Sequence, residues 1–297
     1  MDKLEDLIVP PLAVVCHDAG SANEIITWLK GYKGDFRVCM EGPARKIWNF
    51  FFPDSEILTV KKVLDGSNTL LSGTGAANLE YFARIEAKKK SIKTIAVIDH
   101  WTDYKGRFTR DGNEELPDIV IVTDDYAYEI AQACFPSRSI IQVRNSYLQQ
   151  EVELAQSART KECNKPIENI LIIGEQCRDS SLKRNYLEFA SIDFLMSNLN
   201  KINLSKSLVN INLRTHPSES LDKYDFFQNK YQHLFAEFKI SSKNELYEDI
   251  AWADIVVGMS SFALVVSIHA KIPTMSILPP GSDYFALPFK EIMHLRD

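Results

Sequence analysis

Short apolar runs alternate with longer amphipathic segments along the whole chain, a pattern that indicates parallel strands joined by crossover helices. In the first half, strands are predicted at residues 12–16, 36–40, 69–71, 94–98, 119–122 and 140–143. Helices are predicted between them at residues 22–29, 44–51, 76–89 and 126–134. This order of elements is typical of one doubly wound sheet.

The second half shows the same alternation without a detectable sequence repeat. A predicted helix at 147–159 and a polar stretch at 160–166 separate the halves, so we place the boundary within residues 146–166, near 155. Strands are predicted at 170–173, 209–213, 237–240, 255–257 and 274–277. Helices are predicted at 184–199, from 217 or later, and at 243–252, 262–270 and 289–295. The predicted fold class is α/β, with Rossmann-like domains at 1–155 and 156–297 facing a cleft.

Composition narrows the classes of function. The 297 residues include 34 Lys and Arg against 40 Asp and Glu, and the net charge of −6 argues against a general nucleic-acid binder. No apolar run approaches the roughly 20 residues of a membrane span. The first residues lack the pattern of a signal peptide, so we expect a cytoplasmic protein. The five cysteines are isolated from one another, which predicts neither a zinc site nor a disulfide framework.

A polar segment follows the predicted strand at 209–213. It contains Arg214, His216, Pro217 and Glu219, and Pro217 is well suited to open a helix. Arginine and histidine at a strand end can bind a phosphate or a ribose, and glutamate can accept hydrogen bonds from ribose hydroxyls. The alternative is a helix start whose polar residues only cap the helix.

A second segment places Gly258, Ser260 and Ser261 between a buried strand and an apolar helix. The free N–H groups and the dipole of a helix N-terminus favour phosphate binding there. Serine is also a common helix N-cap, which is the structural alternative. Gly174, after the strand at 170–173, is a further candidate for the same ligand, with a purely conformational role as the alternative.

The His216-Pro217 pair followed by Ser260-Ser261 resembles the paired short motifs of bacterial sialyltransferases and other CMP-sugar-dependent transferases of the GT-B fold. This resemblance implies that the His-Pro pair contacts the nucleotide and that the serines hold the donor phosphate. UDP-sugar 2-epimerases and polyol-phosphate transferases carry similar turns. Many GT-B enzymes continue past the last strand with helices that cross back, so we expect either a minimal fold or a missing crossover helix.

Candidate chemistry in the first half begins directly after the first strand. Asp18 is our candidate for the general base that an inverting transferase needs, and His17 either orients it or is the base itself. Asp18 as a helix cap is the alternative. The small residues Gly20 and Ser21 allow close approach of an acceptor.

The densest polar and aromatic cluster follows the strand at 94–98. Asp99 and His100 are the reserve candidates for the base, and Trp101, Tyr104 and Arg107 are predicted to bind the acceptor. Aromatic faces beside fixed hydrogen-bonding groups are typical of sugar recognition. A packed lid or an oligomer contact is the structural alternative.

These observations predict a glycosyltransferase that moves a sugar from a nucleotide-activated donor, with CMP favoured, to a glycan or small-molecule acceptor. The first domain is expected to bind the acceptor and the second the donor, without a metal or a cofactor other than this co-substrate. A UDP-sugar 2-epimerase or hydrolase and a non-catalytic nucleotide-sugar-binding subunit are the alternatives. A homo-oligomer is left open.

Overall fold

A computed structural model divides the chain into two compact units, Met1–Leu148 and Gln149–Asp297. It describes residues 4–160, 166–175, 182–205, 209–216, 219–241, 243–282 and 287–296. The division falls inside the helix Ser146–Ala158, whereas the sequence pattern placed it near residue 155.

The first unit is a parallel sheet covered by helices. Its strands are β1 (Leu12–Cys16), β2 (Phe36–Met40), β3 (Thr69–Ser72), β4 (Lys93–Val97), β5 (Thr109–Arg110), β6 (Asn113–Glu114), β7 (Ile119–Val122) and β8 (Ser139–Gln142). Its helices are α1 (Leu4–Leu7), α2 (Ala19–Leu29), α3 (Gly42–Phe51), α4 (Val60–Leu64), α5 (Asn78–Lys89), α6 (Asp125–Cys134) and the first residues of α7 (Ser146–Ala158). A 3₁₀ helix at Gly106–Phe108 precedes the antiparallel hairpin of β5 and β6.

The order of the first sheet is β2-β1-β3-β4-β7-β8, and every pairing in it is parallel. Strand β1 is buried along its whole length, and its Val14 belongs to the same core cluster as Ile25 and Ile26 of α2. The strand order reverses between β1 and β3, and ligands of such folds bind at the carboxyl ends of the strands flanking this reversal.

The second unit has the same architecture. Its strands are β9 (Asn169–Ile173), β10 (Asn210–Arg214), β11 (Glu237–Ser241), β12 (Ile255–Gly258), β13 (Thr274–Ser276) and β14 (Met293–His294). Its α-helices beyond α7 are α8 (Leu182–Ser197), α9 (Asp225–Tyr231), α10 (Leu246–Trp252) and α11 (Phe262–His269). Further 3₁₀ helices lie at Leu199–Lys201, Leu221–Tyr224 and Gln232–Leu234.

The second sheet is also parallel and has the order β11-β10-β9-β12-β13-β14, the strand order of Rossmann folds. Its central strand β9 is buried along its whole length, and Ile170 and Ile172 belong to the core. The reversal lies between β9 and β12. The predicted fold class, α/β with two Rossmann-like domains, is confirmed.

One predicted helix differs from the structure, and another agrees with its predicted bounds but begins as a 3₁₀ turn. The segment predicted as a helix at 289–295 instead contains β14, which pairs with β13. The spacing of Phe289, Ile292 and Leu295 imitates one helical face, but these side chains are buried where the segment extends the sheet edge. The helix predicted from residue 217 or later starts, among the described residues, as the 3₁₀ turn at Leu221–Tyr224.

Other expectations have the following outcomes. Cys16 and Cys39 are buried free thiols and Cys134 is a partly buried one, while Cys163 and Cys177 lie outside the described residues. Among the helices described, none combines the length and apolar character that crossing a membrane requires.

A carboxyl group is buried where α2 meets the start of α7. Glu24 is 2% exposed, and its Oε1 accepts a hydrogen bond from Asn145 Nδ2 at 2.6 Å. The Oδ1 atom of Asn145 in turn accepts from the backbone N–H of Leu148 at 2.7 Å and so caps α7. Burial, reinforced by the nearby charge of Asp99, raises the pKa of Glu24 well above its usual range.

We expect Glu24→Gln to stabilise the protein increasingly as the pH rises. The pKa of Glu24 is higher in the folded than in the unfolded state, so the wild type loses stability as the pH rises through the folded pKa. Glutamine imitates the neutral acid and cannot ionise. Urea unfolding at pH 5, 7 and 9 measures the free energy of unfolding of both proteins. The excess of Glu24→Gln over the wild type should grow by up to about 1.4 kcal/mol per pH unit. Glu129→Gln, at an exposed position of α6, is the control, and a pH-independent difference would contradict the prediction.

Candidate functional site

The first candidate site lies at the carboxyl end of β1. The Nδ1 atom of His17 is 2.8 Å from Asp18 Oδ1, and Asp18 Oδ2 accepts a hydrogen bond from the backbone N–H of Ala76 at 3.2 Å. The side chain of His17 is 28% exposed and that of Asp18 is 11% exposed. The more accessible group of the pair is therefore the imidazole, and the carboxylate is placed to hold its ring.

Two glycines leave room for this pair. A Cβ atom at Gly75 would lie 2.5 Å from the carboxyl carbon of Asp18, and one at Gly42 would lie 2.5 Å from Nε2 of His17. Gly42 also has a φ of +49°, a conformation that favours glycine. Any larger residue at either position would displace the pair.

Two side chains of helix α5 form hydrogen bonds at the carboxyl ends of β1 and β3. Glu80 Oε1 accepts from the backbone N–H of His17 at 2.8 Å, and Arg84 donates to the carbonyl of Gly73 at 3.2 Å and to Ser72 Oγ at 3.3 Å. Burial raises the pKa of Glu80 and lowers that of Arg84 to about 10. Sequence reasoning missed both residues. Their signal was an acidic and a basic residue four positions apart on the apolar face of a predicted helix.

The loop after β4 is tied to the loop after β3. Arg107 donates to Asp99 Oδ1 at 2.8 Å and to Thr74 Oγ1 at 3.1 Å, and the Asp99 carboxylate lies against Gly20. His100 Nδ1 is 3.0 Å from Thr102 Oγ1. The reserve base candidate Asp99 is therefore an ion-pair partner that links these loops.

Three predicted acceptor-binding side chains are packed into the first unit. Trp101 and Tyr104 are 4% and 3% exposed, and Ser21 is fully buried beside Gly73. Trp101 Nε1 donates to Asp124 Oδ2 at 2.7 Å, and the Tyr104 hydroxyl donates to the carbonyl of Ala127 at 3.3 Å. These aromatic rings fill the core under the loop, and their polar atoms are bonded there, so they do not offer the sugar platform that the sequence predicted.

The second candidate site lies at the reversal of the second sheet. Glu175, directly after β9, accepts a hydrogen bond from the backbone N–H of Ser260 at 2.6 Å, and its Oε2 is 3.4 Å from Ser260 Oγ. Ser261 is the N-cap of α11, since its side chain accepts from the N–H of Ala263 at 3.3 Å. The end of β12 thus holds a negative charge at the positive end of a helix dipole.

A buried network supports Glu175. Glu188 accepts from the backbone N–H of Glu175 at 2.9 Å and from the Tyr224 hydroxyl at 2.6 Å. Lys223 Nζ lies 2.7 Å from Glu188 Oε2 and 3.5 Å from Glu219 Oε2, so Glu219 belongs to this network. A Cβ atom at Gly174 would lie 2.5 Å from the Tyr224 hydroxyl. Sequence reasoning missed all three residues. Glu188 lies on α8, the next helix after β9, where no turn signal marks it, and Lys223 lies 48 positions from Glu175 in the chain.

Arg214 is held by a carboxylate that the sequence did not reveal. Its guanidinium lies 2.5 Å from Asp249 Oδ2, and Asp249 also accepts from Asn244 Nδ2 at 2.8 Å. The side chains of Arg214 and Asp249 are 14% and 2% exposed. The positive charge of Arg214 is thereby compensated within the unit.

The remaining predicted donor residues have these positions. His216 is partly buried just after β10, and Gly258 is buried as the last residue of β12. Pro217 lies outside the described residues. In the parts of the chain that the structure describes, no three His, Cys, Asp or Glu side chains are grouped as a metal site.

The fold is shared with solved structures, although no protein-family model and no curated protein sequence matches the chain. UDP-GlcNAc 2-epimerase from Neisseria meningitidis, bound to UDP-GlcNAc, aligns with a TM-score of 0.59 at 11% identity over 89% of this chain and 82% of that one. The Methanocaldococcus jannaschii UDP-GlcNAc 2-epimerase aligns with a TM-score of 0.59 at 14% identity, over 89% of this chain and 83% of that one. A variant of the wall teichoic acid polymerase TagF aligns with a TM-score of 0.51 at 14% identity, over 92% of this chain and 72% of that one. The two Rossmann-like domains are therefore of the GT-B type.

We expect Asp249→Asn to destabilise the protein by about 3 kcal/mol, because it leaves the mostly buried charge of Arg214 without its carboxylate. Urea unfolding at pH 7 measures this loss. Glu237→Gln, which breaks the exposed pair with Lys239, should change stability far less. Equal effects of the two substitutions would show that the Arg214 pair is not structural.

Proposed function

We propose that this protein is a nucleotide-sugar-dependent glycosyltransferase of the GT-B type in which His17 is the general base. The observation that carries the proposal is the His17–Asp18 hydrogen bond of 2.8 Å at the reversal of the first sheet. A histidine held at Nδ1 by a carboxylate has Nε2 as its proton acceptor, an arrangement common in enzymes that activate a hydroxyl. This assignment exchanges the roles first expected for Asp18 and His17.

The proposed reaction is one displacement at the anomeric carbon. The acceptor oxygen forms a bond to that carbon while its proton moves to His17 Nε2. The bond between the carbon and the donor phosphate breaks, and the nucleotide leaves with the electron pair. Asp18 holds the ring and stabilises the imidazolium that forms. Metal independence is part of the proposal, since Ser260 and Ser261 are proposed to stabilise the departing phosphate.

The second unit is proposed to bind the donor. The N–H group of Ser260, just before the N-cap of α11, already holds the carboxylate of Glu175, and this contact supports the proposal of an anion site there. We propose that a donor phosphate displaces Glu175 there and contacts Ser260 and Ser261. The resemblance to CMP-sugar-dependent transferases supports His216 and Pro217 as nucleotide contacts. It also makes a CMP-sugar the favoured donor.

A UDP-sugar 2-epimerase is the second candidate. The two solved structures with a TM-score of 0.59 are both UDP-GlcNAc 2-epimerases, and this favours a UDP-linked substrate. Incubation with UDP-sugars and CMP-sugars in the absence of any acceptor separates the candidates. Epimerised or free sugar formed at enzymatic rates supports the second candidate, and binding without any conversion supports a non-catalytic subunit.

We expect His17→Asn to abolish turnover of the correct donor, and Asp18→Asn to reduce it by about 10²- to 10⁴-fold. Donor affinity should remain within about threefold of wild type, because the proposed donor contacts lie in the second unit. Initial rates and equilibrium binding, measured on the same preparations, test this prediction. Full turnover by His17→Asn would refute the assignment of the base.

A thermal-shift panel of CMP, UDP, GDP and their sugar conjugates should identify the nucleotide. A ligand that binds only the folded protein stabilises it by about 2.7 kcal/mol at a concentration 100 times its dissociation constant. We expect CMP compounds to raise the melting temperature and Ser260→Ala to diminish the rise. Stabilisation by UDP compounds alone would overturn the choice of donor.

A further inference from the structure

We propose that Glu80 is a positioning residue for the His17–Asp18 pair, holding the backbone of His17 and placing a second negative charge beside its imidazole. The proposal rests on the proposed function only in calling His17 the base. It assigns a role to a buried carboxyl group that lies outside the loops in which catalytic residues were sought.

The geometry gives Glu80 a direct hold on the end of β1. Its Oε1 accepts from the backbone N–H of His17 at 2.8 Å, across 63 positions of sequence. That N–H follows the last residue of β1, where pairing with the neighbouring strands ends. Because the carboxylate fixes the peptide from which the His17 side chain departs, it fixes the direction in which the ring leaves the sheet.

Only one oxygen of Glu80 is used in this way. The residue is 1% exposed, and Oε2 is buried without a hydrogen-bond partner among the described residues. A neutral group would satisfy the His17 N–H equally well, so a structural cap does not require a carboxylate. A buried carboxylate costs free energy, and two positive charges compensate for it, the buried guanidinium of Arg84 on the same helix and the imidazolium of His17.

The charged groups that contact His17 come from two elements, since Asp18 lies on the β1–α2 turn and Glu80 on α5. Asp99, after β4, and Asp18 also act on the neighbouring Cys16, and Arg84 of α5 interacts with Glu80. Glu41 precedes α3, and its backbone N–H donates to the carbonyl of Cys16 at 3.1 Å. The interaction between Glu80 and His17 is mutual, since the His17 charge lowers the pKa of Glu80 while burial raises it. Removing the charge of Glu80 should therefore make His17 less basic.

NMR titration of the histidine rings tests the proposal on the intact chain. The protein has six histidines, and His17→Asn assigns the resonance of His17. In Glu80→Gln, which keeps an oxygen to accept from the His17 N–H, we expect the proton affinity of His17 to fall about tenfold, which is one pH unit. Glu86→Gln, at an exposed position of the same helix, should leave the titration unchanged. An unaltered His17 titration in folded Glu80→Gln overturns the proposal.

A measurement on the wild type covers the case in which Glu80→Gln does not fold. Carboxyl-carbon NMR locates the ionisation of Glu80, and the His17 ring shift should show an inflection at the same pH. Its absence contradicts the proposal. These readouts need no substrate, so they stay separate from the proposed function: active His17→Asn with a changed titration in Glu80→Gln would refute the base and retain the Glu80 interaction.

Discussion

Both candidate sites depend on one constraint, which is that the central strand of each sheet is surrounded by protein. Strands β1 and β9 pair with neighbours on both edges and are buried on both faces. No polar side chain fits along such a strand without a partner. The first positions open to polar chemistry are therefore those at the carboxyl end. His17 and Asp18 occupy them in the first unit, and Glu175 does so in the second.

The polar groups at these ends are held by partners from other elements of the same unit. Glu80 holds the backbone of His17, Glu188 holds that of Glu175, and Asp249 holds the guanidinium of Arg214. Leaving one of these charges buried without a partner costs several kcal/mol, whereas a hydrogen bond to a charged group contributes about 1.5–3 kcal/mol. A few strong polar contacts with other elements therefore fix the positions of the site residues more firmly than the local conformation of their own loops does.

This division explains what the sequence could predict. Strands such as β1 and β9 were predicted to within about one residue, because a strand buried on both faces is a continuous apolar run bounded by turn residues. The partners of the site were missed because Glu80 lies 63 positions from His17 and Asp249 lies 35 positions from Arg214. The burial of Trp101 and Tyr104 was not predicted, for a related reason: an aromatic residue in a loop has no periodicity that distinguishes burial from exposure.

The two ends differ in the polar groups that they offer to a ligand. In the first unit, an imidazole held by a carboxylate can accept a proton. In the second, the backbone N–H of Ser260, just before α11, already holds the carboxylate of Glu175. Under the proposed function, a phosphate entering there exchanges one anion for another. The net gain then comes from the higher charge of the phosphate and its additional oxygens. A ligand without an anionic group has no comparable means of displacing Glu175, so the proposed function requires that the phosphate is the part of the donor that binds at Ser260.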